Sequence, residues 1–430
     1  MTGGAATRAP NGPRWPALVA VTVTVGVVAG LGGMSLVLLL HFTQHLVYGY
    51  SPDAVISSES FLQGVSRAAP IRRVAALAVC GLVAGSGWWA LYRFGRPLVS
   101  VKQATEPDGP RMPRVTTAVH ALLQIVTVAL GSPLGREVAP REVGAAFAGW
   151  LCTRAGLSGE ESRTLIACAA GAGLAAVYNV PLGGALFVLE VLLGTLRLSA
   201  VVPAIATSVI ASLVAWIGLG DQSPYSVPHL SISAPLVAWS IVVGPPLGLA
   251  AYWYAHLMTA SHRRAPRDWR LLVWCPAVFV LIGLLSIPFP QLLGNGKGPT
   301  LLGFDSELGV GLAVTLLLLK ILAAAGALRA GAEGGVLTPS LTIGAMLATV
   351  AGALWSLVIP GVPLGAFAIV GAAGFLAAAM KMPVTAIALA VEFTRVDHDF
   401  LIPIFFAVAG AVAAFERNAR RYDTAHHLRD

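Results

Sequence analysis

Charge is what this sequence is short of. Of its 430 residues only 11% are Asp, Glu, Lys or Arg, against 56% hydrophobic, where a soluble domain carries about 25% charged residues. Too little polar side chain is available to cover a water-exposed surface, which excludes a soluble globular chain. Cysteine is scarce as well. Cys80, Cys152, Cys168 and Cys275 lie in or beside apolar segments without CxxC spacing, a pattern that indicates neither a disulfide framework nor a zinc site and predicts four buried thiols. No Walker loop, nucleophile elbow or HExxH occurs, so an enzyme is not indicated and no cofactor is implied. A basic domain interleaved with aromatics is also missing, so the pI near 9.6 is not read as nucleic-acid binding.

What the chain has is apolar runs, at 17–40, 74–91, 115–131, 199–217, 235–257, 271–288, 309–327, 345–358, 362–379 and 400–415. Several reach the roughly 20 residues that span a hydrocarbon core of about 30 Å. The prediction is an all-α polytopic protein of the lipid bilayer. The first run follows Arg8 and Arg14 and is too long for a signal-peptide core, so it reads as a retained helix. Basic residues gather in three places: at Arg8 and Arg14, in HRRAPRDWR (262–270) and in ERNARRYDTAHHLRD (416–430). The positive-inside tendency puts all three in the cytoplasm, with both termini inside a plasma membrane crossed an even number of times.

An internal repeat organises the runs. LAAVYNVPLGGALFVLE (174–190) matches LAAAMKMPVTAIALAVE (376–392) at a constant offset of 202, which aligns Leu174 with Leu376, Pro181 with Pro383 and Glu190 with Glu392. The expected division is a tail 1–15, a first membrane half 16–218, a second half 219–415 and a tail 416–430. Duplicated halves with interrupted hydrophobic segments point to a transporter-like architecture whose substrate site lies where the halves meet. An odd number of crossings per half requires the two copies to be inverted.

Each half also holds a Gly/Pro break, GREVAPREVGAAF and GGVLTPSLTIGAM. In the first, four charged residues crowd together: Arg136, Glu137, Arg141 and Glu142. A break inside a membrane frees backbone groups, tolerable only within protein or along a cavity. With the proline where a helix can begin, the amides before it face out of a helix N-terminus, an end suited to an anion. Two such ends can cradle a small anion without a full positive charge, which favours its release. A carboxylate beside those amides can take the anion's place until protonation frees it, making Glu137 a candidate gate and proton carrier. The plainer alternative is a rim residue paired with Arg136 or Arg141.

These motifs together resemble the CLC family of chloride channels and transporters, over essentially the whole chain from about residue 17. LLLLKILAAAGALRAGAEGGVLTP (316–339) and LLGNGKGP (292–299) add to the likeness. The resemblance implies duplicated halves of opposite topology with broken, tilted helices, and a homodimer with an anion pathway in each subunit. It implies that Glu137 is the gating glutamate, that amides around Arg136 to Val138 and at Val336 and Leu337 face the anion, and that Tyr422 contacts it through its hydroxyl. The chain departs from the pattern in several places. The GSGIP loop is missing, and its nearest counterpart is RPLVSVKQA (96–104), where Ser100 takes the serine's place. Val138 stands at the motif glycine, with the proline one residue late, and Leu337 stands at the usual phenylalanine. Val191 occupies the position where proton-coupled exchangers carry an internal glutamate, while Glu190 and Glu392 read as structural. The expected function is transport of chloride or a similar monovalent anion, with or without protons. The alternatives are a passive channel, a fluoride-selective transporter and, ranked lower, a non-conducting scaffold or sensor.

Overall fold

The apolar runs form helices, and the glycines and prolines between them form the helix ends. The computed structural model describes residues 15–51, 56 and 59–427, with side chains as far as Arg421. The first half contains α1 (Trp15–Tyr48), α2 (Phe61–Arg67), α3 (Pro70–Phe94), α4 (Val101–Ala104), α5 (Arg114–Ala129), α6 (Val138–Ala155), α7 (Gly159–Tyr178), α8 (Pro181–Phe187) and α9 (Leu198–Leu219). The second contains α10 (Ala234–Arg263), α11 (Leu271–Leu285), α12 (Lys297–Phe304), α13 (Val310–Ala330), α14 (Leu337–Ser356), α15 (Leu364–Met380), α16 (Pro383–Thr394) and α17 (Leu401–His427). Seven of these, α1, α3, α9, α10, α13, α14 and α17, are long and apolar enough to cross a membrane. The all-helical membrane architecture matches the expectation, and α17 carries its helix across residue 415 into the segment read as a tail.

Helices in lipid associate through close packing of small residues rather than through burial from water. On α1, Gly26 and Gly30 meet α9; a Cβ at Gly30 would lie 2.8 Å from the Ala211 carbonyl oxygen. The second half repeats the device, with Gly244 on α10 facing the Ala407 carbonyl on α17 at 2.9 Å from such a Cβ. On the outer side of α9, Val202, Ile205, Val209 and Leu213 form an exposed apolar stripe at helical spacing, a face fit for lipid or for a second subunit. All four cysteines are buried and unpaired.

The repeat is visible in three dimensions. The α7–α8 and α15–α16 junctions turn through left-handed residues, Asn179 (φ 55°) and Lys381 (φ 54°), and Pro181 and Pro383 open the following helices. The Glu190 carboxylate accepts hydrogen bonds from the Val384 and Thr385 amides at 2.9 and 2.7 Å. Glu392 accepts from the Leu182 and Gly183 amides at 2.9 and 2.7 Å. The far end of each segment therefore meets the near end of the other, which requires the two copies to run antiparallel. This is the inversion that the repeat alone left open, and it gives both glutamates the structural role expected of them. Outside the helices, Asp221 accepts from Asn179 at 2.8 Å and from Arg395 at 2.6 Å, and these bonds hold its carboxyl below the usual range.

Candidate functional site

The two Gly/Pro breaks meet. Gly135 and Gly335 form an antiparallel bridge, with Gly135 N donating to Gly335 O at 2.7 Å and Gly335 N to Gly135 O at 2.9 Å. The bridge satisfies backbone groups that the breaks free, and it sets the starts of α6 and α14 side by side. Both helices begin two residues before their proline, at Val138 and Leu337, because proline tolerates the first turn of a helix, where its missing N–H is not needed.

Glu137 is fully buried at this junction. Its Oε1 accepts from the Leu337 amide at 2.7 Å, a charge-assisted bond at a helix N-terminus. Its Oε2 lies 3.3 Å from the Tyr178 hydroxyl and 3.5 Å from Thr338 Oγ1, and those two hydroxyls are 2.9 Å apart. The carboxylate thus occupies the place the sequence argument assigned to an anion. The arginines turn elsewhere, against the rim-pair alternative. The Arg136 guanidinium lies 5.1 Å from the centre of the Tyr178 ring, and Arg141 Nε donates to the Glu137 backbone carbonyl at 2.7 Å. Beside this site opens a cavity of about 360 Å³ whose lining includes His41, Arg136, Tyr178, Lys297 and Thr338. Arg136 and Lys297 bring positive charge to its lining, and Glu59 a carboxylate.

Of the candidate residues, Arg136, Glu137, Val138, Val336 and Leu337 come together here. Val336 caps α14 with non-helical backbone (φ −116°, ψ 6°). Ser100 stands apart. It is exposed and caps α4; its Oγ accepts from the Gln103 amide at 3.2 Å and lies 3.1 Å from Gln103 Oε1. That short helix absorbs the hydroxyl that the resemblance gave to the anion. The Tyr422 side chain lies outside the described residues. Val191 sits half-buried in a π-helical turn, 188–193.

Two contributors were missed from sequence. Tyr178 stands inside the repeat at the place aligned with Met380; that mismatch of a phenol with a thioether was the available signal. Lys320 was noted only as part of a motif. It is fully buried, and its Nζ donates to the Leu292 carbonyl at 2.8 Å and also to the Gly294 carbonyl. The lysine-bearing helix and the LLGNGKGP segment, separate motifs in the sequence, are joined here, the Lys320 amine gathering a loop that leads to Lys297. Among the described residues, no group of three His, Cys, Asp or Glu forms a metal site.

The family described as voltage gated chloride channel matches residues 80–416. The voltage-gated ClC-type chloride channel ClcB of Citrobacter koseri is 29% identical over 86% of this chain and 91% of its own. A putative chloride channel protein, ClcB-like, of Ralstonia nicotianae is 30% identical over 70% of this chain and 72% of its own. Among solved structures, a slow cyanobacterial Cl−/H+ antiporter superposes with TM-score 0.78 at 19% identity, covering 95% of both chains. A CLC-type fluoride/proton antiporter superposes with TM-score 0.65 at 20% identity, covering 93% of this chain and 95% of its own. The motifs, the inverted halves and a match across most of the sequence agree, and the chain belongs to the CLC family of anion-transport proteins.

Proposed function

We propose that this protein exchanges chloride, or a similar monovalent anion, for protons across the plasma membrane, with Glu137 as the group that competes with the anion and carries the proton. The observation that carries this reading is the 2.7 Å bond from the Leu337 amide to Glu137 Oε1. An amide that holds a carboxylate can hold a halide in the same place. Protonation removes the negative charge that makes the bond strong, so the carboxyl leaves and the anion enters. When the anion moves on, the deprotonated carboxylate returns. The site supplies neutral donors rather than a lysine, which leaves the anion free to depart.

The same reading includes a homodimer with one pathway per subunit, halves at 16–218 and 219–415, both termini in the cytoplasm, and the basic stretch 262–270 on that side. Arg136, Val138 and Val336 supply the surroundings of the anion. The test is purified protein in chloride-loaded liposomes, with anion efflux and external pH recorded together. A chloride gradient is expected to drive protons with the native protein and not with Glu137→Gln. Val191 favours a second reading, a passive channel, because valine relays no proton; anion efflux without proton movement would establish it. Fluoride in place of chloride decides the preference, and a native protein that moves neither ion is the scaffold of the last alternative.

A further inference from the structure

A buried polar cluster that the anion site does not use lies between α3, α5 and α6. His120 Nδ1 is 2.8 Å from Glu142 Oε2, and Gln124 Nε2 is 2.9 Å from His120 Nδ1 and 3.2 Å from Glu142 Oε2. The Trp88 ring stands edge-on to the imidazole at 6.3 Å between centroids. All four side chains are buried. Yet His120 Nε2, Gln124 Oε1 and Trp88 Nε1 have no hydrogen-bond partner within the protein. Buried polar atoms are almost always satisfied, and leaving one unmet costs about 1–3 kcal/mol. Three such atoms fall together in this one cluster. Polar atoms of this kind in one buried place bind water, and an ionisable pair beside water can hold a mobile proton.

The cluster lies between the anion seat and the basic loop at 262–270. On one side, Glu142 follows Glu137 by five residues of α6, an axial rise of about 7.5 Å. The Arg141 guanidinium lies within electrostatic reach of both carboxylates. On the other side, Glu333 accepts from the Tyr92 hydroxyl at 2.8 Å and pairs with His262 Nδ1 at 3.7 Å. Glu333 is partly exposed and lies within electrostatic reach of His120. Glu333 also stands two residues from Gly335 of the bridge, so His262, Glu333, His120, Glu142 and Glu137 are titratable groups gathered between that loop and the anion seat. The π-helical turn that holds Val191 packs instead on α7, α8 and α9.

We propose that the Glu142–His120 pair carries the transported proton between cytoplasmic water and Glu137, in place of the side chain missing at position 191. The inference rests on the coupled-exchange reading and the sidedness given above. The pair takes up one proton, supplied from the cytoplasmic side through Glu333, and becomes an imidazolium–carboxylate pair. It yields that proton to the Glu137 carboxylate and returns to a neutral imidazole and a carboxylate. One proton enters and one leaves, and no electron moves. Arg141 stabilises the two carboxylates between transfers.

The experiment is the liposome assay with chloride efflux and proton movement recorded together, on native protein, Glu142→Gln and Glu333→Gln. Glutamine keeps the shape of either residue and one accepting oxygen but cannot titrate. Glu142→Gln is expected to lower proton movement per anion by at least about tenfold while anion efflux persists. Glu333→Gln, at the partly exposed entrance where a fold defect is least expected, is to slow the proton component alone. Adding Val191→Glu to Glu142→Gln is expected to restore part of the coupling. Native coupling that survives in both glutamine variants overturns the relay and leaves the exchange reading standing. Native anion efflux without protons overturns both. Loss of both fluxes in Glu142→Gln, with an unchanged gel-filtration profile, makes the pair a packing element and overturns the relay.

Discussion

Gly135 and Gly335 are joined by two reciprocal backbone hydrogen bonds, of 2.7 and 2.9 Å, although 200 residues separate them. Each lies in the break of its own half, so the bridge ties together the helix starts proposed as the anion seat. Both residues also face Glu137. A Cβ built at either glycine would collide with the Glu137 carboxyl group. The pairing explains why the backbone is bare on both sides of one carboxylate: only glycine lets that group lie against the bridge.

Substituting Gly335→Ala is therefore expected to drive the Glu137 carboxylate off the Leu337 amide while the bridge persists. Anion efflux should rise at neutral pH, and proton movement per anion should fall. The flux ratio in liposomes checks it. Native coupling in the alanine variant would show that the carboxylate does not need its present seat.

Tyr178→Phe removes the hydroxyl that lies 3.3 Å from Glu137 Oε2 and 2.9 Å from Thr338 Oγ1 but keeps the ring beneath Arg136. The longer bond is weak, so the loss should be about 0.5–1.5 kcal/mol of gate closure. Efflux is expected to rise severalfold in the pH range where the native gate is mostly closed. With Glu137→Gln already in place, adding Tyr178→Phe should change the flux much less, and a full additive increase there would separate the tyrosine from the gate.

Lys320→Met leaves the Leu292 and Gly294 carbonyls without their buried ammonium donor. Orphaned acceptors cost about 1–3 kcal/mol each, so the thermal midpoint in detergent should drop clearly. Protection of amides over 290–296 from hydrogen exchange should fall with it. An unchanged midpoint would mean that this loop is held by packing alone.

Glu190→Ala removes three charge-assisted bonds at the start of α16, from two amides and the Thr385 hydroxyl, and Glu392→Ala removes two at the start of α8, though both carboxylates are half-buried. A loss of about 1–3 kcal/mol is expected for each. The two caps share no partner, so the double variant should show losses that add to within about 0.5 kcal/mol. Unfolding midpoints of the single and double variants test this, and strong non-additivity would indicate that α8 and α16 move as one unit.

The membrane class, the duplication, the two breaks and Glu137 as a candidate residue were legible in the sequence because each rests on local chemistry. A window of apolar residues is too long for anything but a lipid-spanning segment, a proline ends one helix and begins another, and an ionisable residue among glycines stands out wherever it lies. Glu190 and Glu392 were also recognisable as structural, since a carboxylate at a repeated position beside a proline-led helix is a natural cap.

Tertiary structure decided everything that depends on which segments meet. The antiparallel course of the repeats follows from caps exchanged over 194, 195, 209 and 210 residues, and no local signal fixes a direction. Tyr178 reaches Glu137 because the end of α7 meets the start of α14, and Lys320 meets LLGNGKGP because α13 passes beneath that loop. Ser100 was assigned by likeness to a motif, and in the folded chain its hydroxyl caps α4 instead. The His120–Glu142 pair joins residues on neighbouring helices whose spacing in sequence resembles nothing in particular. Periodicity and composition report what each segment is. Only the packing of inverted halves brings a carboxylate, an amide and two hydroxyls from distant segments to one point.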